Sequence, residues 1–388
     1  MGHLLKSKIP VPGFIRSYST DGMAVNRYFF ITTAFVFYFC CATAWSQVPK
    51  YSNEFLNIGV DARALAMSGS VAATSAGVTS GYWNPSGLVG LSKDAELALM
   101  HSEYYAGIAK YDYGSVAVRT DPRGVAGFSL IRFGVDDIPN TLDLIDADGN
   151  IRYDRIKTFS IADYGILFSY ARSSTHEGLT YGGNAKLIYR RTGDFAHAWG
   201  FGFDVGAQYR INKWKFGITG KDITSTFNAW SFHTEEFRDV FLATGNEIPD
   251  NSIEVTLPRV LVGAAREFTI KEKIGMLAEL DADLTFDGKR HALLSFNPVS
   301  LDPHLGLEFD YRKLVFLRAG IGNVQWVTGY NEKRSVDFQS AIGLGVKIRN
   351  LRIDYTLTDL ADQTYALYSH IFSLIFAFNT PSLKAPSN

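Results

Sequence analysis

The 388-residue chain carries 38 Lys and Arg against 39 Asp and Glu, a formal charge of −1, together with 35 Gly, 28 Phe, 20 Tyr and 12 Pro. Its aromatic content excludes a disordered or collagen-like polymer, and its balanced charge offers no basic face for nucleic acid. The chain also lacks the repeated apolar runs of about 20 residues that a bundle of membrane helices would need.

The first element is a single apolar run, FFITTAFVFYFCCATA at residues 29–44, preceded by Arg27 and followed by Ala44-Trp45-Ser46 before Gln47. Basic flank, short apolar core and small residues predict a cleavable signal peptide over residues 1–46, with Met23 as a more ordinary start than Met1. Both cysteines, Cys40 and Cys41, fall inside this leader, so the exported chain is expected to have no disulfide and no thiolate metal site.

Residues 47–94 are expected to form a small hatch or plug. Between residues 57 and 90 the sequence turns to small residues, IGVDARALAMSGSVAATSAGVTSGYWNPSGLVG. Gly, Ala and Ser permit close backbone packing, while Tyr82 and Trp83 supply buried aromatic area ahead of the Asn84-Pro85 corner.

From residue 95 to residue 379 the dominant period is two. Trp199, Phe201, Phe203, Val205, Ala207, Tyr209 and Ile211 alternate with Gly200, Gly202, Asp204, Gly206, Gln208 and Arg210. Met276, Ala278, Leu280, Ala282 and Leu284 likewise alternate with Glu279, Asp281, Asp283 and Thr285. Strands this long, with one greasy face and one small or polar face, fit a barrel wall whose polar face lines a wet lumen. The pattern predicts an all-β transmembrane barrel of fourteen antiparallel strands. They fall near residues 95–101, 107–119, 124–134, 159–173, 178–191, 198–211, 213–222, 257–270, 273–287, 303–312, 314–322, 335–348, 350–357 and 367–379. Tight turns at Asn212, Lys271-Glu272, Lys313 and Arg349-Asn350 alternate with long connections at 135–158, 223–256, 288–302 and 323–334. Long connections outside and short turns inside would place both exported termini in the periplasm of an outer-membrane protein. The last strand presents Phe372, Leu374, Phe376 and Phe378 on one face, and residues 380–388 follow as a tail.

Candidate sites are few. Asp146, Asp148 and Asn150, near Asp143 and Asp154, could wrap calcium, although an Asp-Gly-Asn turn explains the same run. Glu279, Asp281 and Asp283, expected to face Glu308 and Asp310 on the next strand, would form an acidic lumen wall. Arg210, Arg312, Lys347 and Arg349 would balance it through salt bridges. No nucleophile or His cluster accompanies these acids, so no enzyme and no cofactor is expected, only bound lipid or detergent and, at the loop, calcium. Trp230, Phe232, Phe237, Phe241 and Leu242 in the longest connection are candidate contacts for a protein partner, or else an inward-folded cap.

Ala62-Arg63, Ala66-Met67-Ser68-Gly69, Asn84-Pro85 and Leu88 together resemble the hatch motif of the PorV/PorQ family of Bacteroidota barrels, relatives of the FadL fatty-acid transporters. Ser68 stands where Gly is usual and Ser86 where Ala is usual. This resemblance covers nearly the whole exported chain and implies a fourteen-stranded barrel with a hatch, in which Ala62, Arg63, Met67, Gly69, Trp83, Asn84 and Pro85 are the motif positions. It also implies a role as a partner or cargo-binding subunit of a type IX-like secretion or assembly complex. Other outer-membrane or secretion-complex proteins, secreted cargo and outer-membrane lipid would then be its partners. FadL-like transport of a hydrophobic small molecule and a purely structural barrel are the alternatives.

Overall fold

A computed structural model of the protein describes residues 52–141, 144–145, 148–235, 238, 241–242, 245, 247, 250–290, 292–328, 333–358 and 369–380. The leader 1–46 with Cys40 and Cys41, residues 47–51, Asp143, Asp146, Phe237 and residues 381–388 lie outside the described residues.

Among the described residues seventeen strands run in chain order: β1 (Ala95–Tyr104), β2 (Ala109–Arg119), β3 (Gly124–Asn140), β4 (Lys157–Ser173), β5 (Leu179–Thr192), β6 (Ala196–Ile211), β7 (Trp214–Lys221), β8 (Thr226–Phe232), β9 (Ser252–Thr256), β10 (Arg259–Lys271), β11 (Ile274–Thr285), β12 (Leu294–Ser295), β13 (Ser300–Tyr311), β14 (Val315–Thr328), β15 (Arg334–Ile348), β16 (Leu351–Thr358) and β17 (Ser369–Phe378). Fourteen of them form a closed antiparallel barrel. Each pairs with the next, β7 with β10 and β11 with β13, and β1 closes the ring on β17 from Ala95 opposite Phe378 to Glu103 opposite His370. Closure matters because a peptide group left unpaired in hydrocarbon costs several kcal/mol, so a wall inside lipid can have no free edge.

The period of two sorts side chains as the sequence predicts. On β6, Trp199 and Phe201 are 51% and 57% exposed on the outer face while Gly200 and Gly202 point inward. On β11, Leu280 is 58% exposed and its neighbour Glu279 is 1% exposed. Turn chemistry sets one rim. Asn212 takes φ 53° in the tight β6–β7 turn, and Arg349 takes φ 53° between β15 and β16.

Three short strands had no counterpart in the sequence pattern. β6 pairs with β7 through Val205–Ile211 and with β8 through Ala196–Phe201, so β8 continues the line of β7 beyond an interruption at residues 222–225. β9 pairs with β8 and precedes β10 by the two residues Leu257 and Pro258. Part of the expected long loop 223–256 is thus a hairpin that raises the wall at the loop end. β12 adds a two-residue pairing to β13 inside the 288–302 connection.

Two helices, α1 (Ala62–Ala66) and α2 (Ser80–Trp83), lie in the small-residue segment. That segment is packed inside the ring, with α1 against β14 to β17 and residues 85–90 against β3 to β6.

An arginine on the lipid face near the bilayer midplane costs about 2–4 kcal/mol. Leu280→Arg should therefore lower stability by about that amount in reversible folding into lipid vesicles followed by denaturant titration. Thr285→Arg, on the lumen face of the same strand, should cost much less.

Candidate functional site

The first α-helix of the hatch is preceded by Asp61, held at φ 71°, whose side chain caps α1 by accepting from the Arg63 backbone N–H at 3.2 Å. Capping by Asp satisfies one of the donors that a helix start leaves open. The same residue joins a charge-balanced ring of six residues. Arg63 Nε donates to Glu308 Oε2 at 2.9 Å, Arg318 Nε to the same oxygen at 2.6 Å, and Arg318 Nη1 to Asp354 Oδ1 at 2.7 Å. Arg352 Nε then donates to Asp354 Oδ2 at 2.6 Å and its Nη2 to Asp61 Oδ2 at 3.1 Å, and the Arg63 backbone N–H on Asp61 Oδ1 closes the ring. Arg318 is 1% exposed and Asp354 0%. Three acids and three arginines can be buried together because each charge keeps a hydrogen-bonded partner. Removing one would strand another, at a cost of about 3–5 kcal/mol.

The opposite flank is held by backbone donors. Ala72 N–H donates to Asp281 Oδ2 at 2.8 Å and Ala73 N–H to Glu279 Oε1 at 2.7 Å, while Thr74 Oγ1 donates to Glu279 Oε2. Carboxylates that accept from a turn in this way satisfy buried N–H groups that no helix or strand serves. Asn84 stitches the corner: its Nδ2 donates to Ala72 O at 2.9 Å and to Ala207 O at 3.2 Å, and its Oδ1 accepts from Ser86 Oγ at 2.7 Å. Pro85 follows at the first position of a short 3₁₀ turn, where its missing N–H leaves no donor unserved. Trp83 Nε1 donates to Val60 O at 2.8 Å and Tyr82 OH to Leu56 O at 2.6 Å. Burial pushes the Tyr82 phenol well above its ordinary range, so it stays neutral.

Barrel glycines face the hatch where its backbone passes close. A methyl group at Gly320 would stand 2.3 Å from the Met67 carbonyl carbon, and one at Gly217 would stand 2.1 Å from Ala72 O. Methyl groups at Gly206, Gly343 and Gly306 would stand 2.1, 2.5 and 2.8 Å from Asn84 Oδ1, Ala66 Cβ and Met67 Cβ. The lumen at this level is therefore filled by chain.

Above the hatch lies a chamber of about 600 Å³. Leu65, Ser68, Gly69, Tyr82 and Trp83 contribute to its lining from the hatch, and Tyr104, Phe133, Arg259, Asp283, Asp302 and His304 from the barrel. Lys221 also lines it, with Nζ 4.4 Å from the centre of the Tyr82 ring and 5.6 Å from that of Trp83. The two rings meet edge to face at 5.0 Å. Among the described residues Lys221 has no ion pair. The nearby Lys186 instead takes Asp204 at 2.8 Å and Asp222. Arg259 reaches Asp283 at 3.4 Å, and His304 donates through Nδ1 to Ser68 O at 2.8 Å.

The sequence-derived motif residues converge: Ala62, Arg63, Met67, Gly69, Trp83, Asn84 and Pro85 all lie in this hatch. The expected pairing of acids needs correction. Glu308 stands opposite Leu277 and Asp310 opposite Gly275, whereas Glu279, Asp281 and Asp283 stand opposite Gly306, His304 and Asp302. The balancing cations are Arg63, Arg318, Arg352, Arg259 and, at Asp310, Lys313, not the expected Arg210, Arg312, Lys347 and Arg349.

Trp230 and Phe232 lie on β8 opposite Ala198 and Ala196, both buried, so they share the lumen side of the wall. Trp230 donates to Glu254 Oε2 at 3.0 Å and lies 5.0 Å beneath the Arg190 guanidinium. Leu242 is 62% exposed, and Phe241 is half-buried. Asp148, Gly149 and Asn150 form an exposed tip above the Ile145–Ile151 bridge, and Asp154 pairs with Arg152 at 3.0 Å. Among the described residues no group of three His, Cys, Asp or Glu is placed to hold a metal ion.

No protein-family model matches the chain, and no curated protein matches it. Among solved structures, the CymD monoaromatic hydrocarbon channel matches with TM-score 0.52 and 14% identity, over 83% of this chain and 98% of that one. The Pseudomonas putida toluene transporter TodX matches with TM-score 0.52 and 13% identity, over 82% and 98%. At such identities the fold alone is shared: a closed antiparallel barrel of fourteen strands.

Because the Gly320 methyl would meet backbone, Gly320→Val should lift the hatch at a cost of about 1–3 kcal/mol. Faster amide hydrogen exchange over residues 62–74, with the strands still protected, is the expected readout. Trp83→Ala should lower stability by about 3–5 kcal/mol in the same assay.

Proposed function

We propose that this barrel is a FadL-like outer-membrane channel for a small molecule with an aromatic or apolar body and an anionic end, received in the chamber above the hatch. The observation that carries the reading is the placement of Lys221. It is a buried amine with no ion pair among the described residues, set over Tyr82 and Trp83, and an arriving anion would hold it in its charged form. A cation over aromatic faces gains about 0.5–2 kcal/mol, less than a fully desolvated charge requires, so an incoming anion would complete it. The aromatic faces of the floor suit a flat apolar body. Their neighbours Arg259, Asp283 and Asp302 set the chamber apart from a purely greasy pocket. The shared fold with a hydrocarbon channel and a toluene transporter supports transport as the class of function. Glu279 and Asp281 accept hydrogen bonds from the hatch backbone, which gives the acidic wall a structural role and supports reading the protein as a non-enzyme. In this reading the tight turns and the exported termini face the periplasm and the β8–β9 hairpin faces outward.

A second reading, capture of a protein partner or secreted cargo at the loop end, draws on exposed Leu242 and on the PorV/PorQ-like hatch motif. Trp230 is engaged by Arg190 and Glu254 and contributes less to it than the sequence suggested. Quantitative pull-down from native membranes with a Leu242→Ser variant would test this second reading.

The channel reading is tested by calorimetry of the purified barrel with benzoate and with toluene, together with uptake into vesicles that contain it. Benzoate should bind saturably, and Lys221→Gln should weaken it about tenfold, equivalent to about 1.4 kcal/mol, with toluene binding unchanged. Absence of saturable binding by either probe, or benzoate affinity indifferent to Lys221, would overturn the proposal.

A further inference from the structure

The outer surface near the tight turns carries cations that the interior network does not use. Arg266 lies on β10 with the parity of Val262, which is exposed on the outer face, while its neighbour Ala265 is buried inward. Its guanidinium carbon is 5.0 Å from the centre of the Trp214 ring and 5.1 Å from that of Phe268. Trp214 stands directly opposite Arg266 on β7 and stacks along its strand on Phe216, at 6.1 Å and 9°. On the other side Arg266 stands opposite Ala278 of β11, whose methyl leaves that flank of the guanidinium open.

The turns beside this group continue the charge. Lys213 is exposed in the β6–β7 turn, and its carbonyl accepts from the Glu267 backbone N–H at 3.0 Å. Lys271 and Lys273 are exposed around the β10–β11 turn, with Glu272 as the acid between them. The remaining nearby acid, Glu267, is taken by Lys215 at 2.6 Å. Further round the same rim, Arg312 lies 5.5 Å over the outward Tyr311 ring. The loop end contrasts with this. There Arg132 and Lys110 meet Asp136 at 3.1 and 3.5 Å, Arg152 meets Asp154 at 3.0 Å and Arg191 meets Asp194 at 2.7 Å. Pairs occur at the turn end too, Lys313 with Asp310 at 2.7 Å and Arg172 with Asp121 at 3.3 Å, but Arg266, Lys213, Lys271 and Lys273 are in no ion pair among the described residues.

We propose that Arg266, seated between Trp214 and Phe268 with Lys213 and Lys271 beside it, is a binding site for the phosphate of an anionic phospholipid, and that the turn end of the barrel lies in a phospholipid leaflet. The stacked aromatics fix the guanidinium at the depth where rings partition between hydrocarbon and headgroups. A guanidinium drawn to two ring faces can still offer N–H groups to a phosphate oxygen, and the flanking lysines add attraction that a zwitterionic headgroup would largely cancel. The occupant is thus chosen by charge complementarity.

The test uses the full exported chain, purified in mild detergent and offered dioleoyl phosphatidylglycerol, dioleoyl phosphatidylcholine or lipid A, with bound lipid read by native mass spectrometry. Phosphatidylglycerol should be retained in preference to phosphatidylcholine, and the preference should shrink as salt is raised. Arg266→Gln should reduce retained phosphatidylglycerol about fivefold, while Arg152→Gln at the loop end should leave it unchanged. A heat-modifiable band on a gel reports folding of each variant. Should Arg266→Gln lose that band, the exposed pair Lys213→Gln and Lys271→Gln decides in its place, with loss of preference expected. Equal retention of the two phospholipids by the unaltered protein, undiminished preference in the folded variants, an equal loss in Arg152→Gln, or a stronger effect of Arg266→Gln on lipid A would each overturn the proposal.

Discussion

The constraint on which everything else rests is that the peptide groups of the wall must pair sideways, with no water to stand in for a missing partner. Closure of β1 on β17 meets it, and closure divides every strand into two faces with different solvents. The outer face must be apolar, so polar groups have only the lumen. That single division explains why β11 can place Glu279 beside Leu280 without strain. It also creates the next problem, since a ring of fourteen strands encloses more space than glycine and short polar side chains can fill.

The hatch fills it, but a short irregular segment brings unserved N–H and C=O groups into a buried site. The wall answers with side chains of the opposite function. Glu279 and Asp281 accept from Ala72 and Ala73, while Gln208 Nε2 donates to Ala72 O at 3.1 Å and to Ser75 O at 3.0 Å. Ser373 and Thr356 bracket Ala62, the first accepting from its N–H at 3.1 Å and the second donating to its carbonyl at 2.5 Å. Glycine in the wall and polar atoms around it are two halves of one solution. Gly217 and Gly320 let the backbone in, and the neighbouring acids and amides satisfy it once it is there.

The period of two, the aromatic outer face and the alternation of short and long connections are local properties, which is why the fourteen strands were legible, although β3 and β14 run on past their expected ends at 134 and 322 to Asn140 and Thr328, beyond shifts of register at Val135–Ile138 and Gly322–Gln325. Register is not local. β11 and β13 are joined by a long connection, so no tight turn fixed their alignment, and Glu308 fell opposite Leu277 rather than beside Glu279. The six-membered ion ring was equally hidden, since Arg63, Arg318 and Arg352 come from separate elements and only folding brings them to Glu308 and Asp354. The density of small residues did announce that 57–90 would pack closely, and Trp83 with Asn84-Pro85 did mark its corner. Lys221 gave no signal, because an isolated lysine at a strand end reads as solvated until the rings beneath it are known. Trp230 and Phe232 stayed open between partner contacts and an inward-folded cap for a related reason: β8 follows the same alternation as its neighbours, but its inward positions are aromatic, and aromatic residues in a long connection fit either reading.

The two flanks of the hatch differ in what it would take to move them. Withdrawing residues 70–75 would leave Glu279 and Asp281 buried without their donors, and withdrawing α1 would open the ring of three arginines and three acids. Each exposes unpaired charge in a confined lumen, at a cost of several kcal/mol. Around Gly69, by contrast, the chain already turns through φ 77°, and the hydrogen bonds to the wall beside it are made to uncharged carbonyls, His304 Nδ1 to Ser68 O at 2.8 Å and Ser70 Oγ to Glu279 O at 3.0 Å. This part of the hatch, together with Leu65, Tyr82 and Trp83, lines the chamber directly. A solute resting on the aromatic floor therefore meets the hatch where few charges depend on its position, while the residues that anchor it to the barrel stand behind. The arrangement separates the surface that can yield from the contacts that cannot, and the separation follows from which hatch residues had polar backbone atoms to satisfy against the wall.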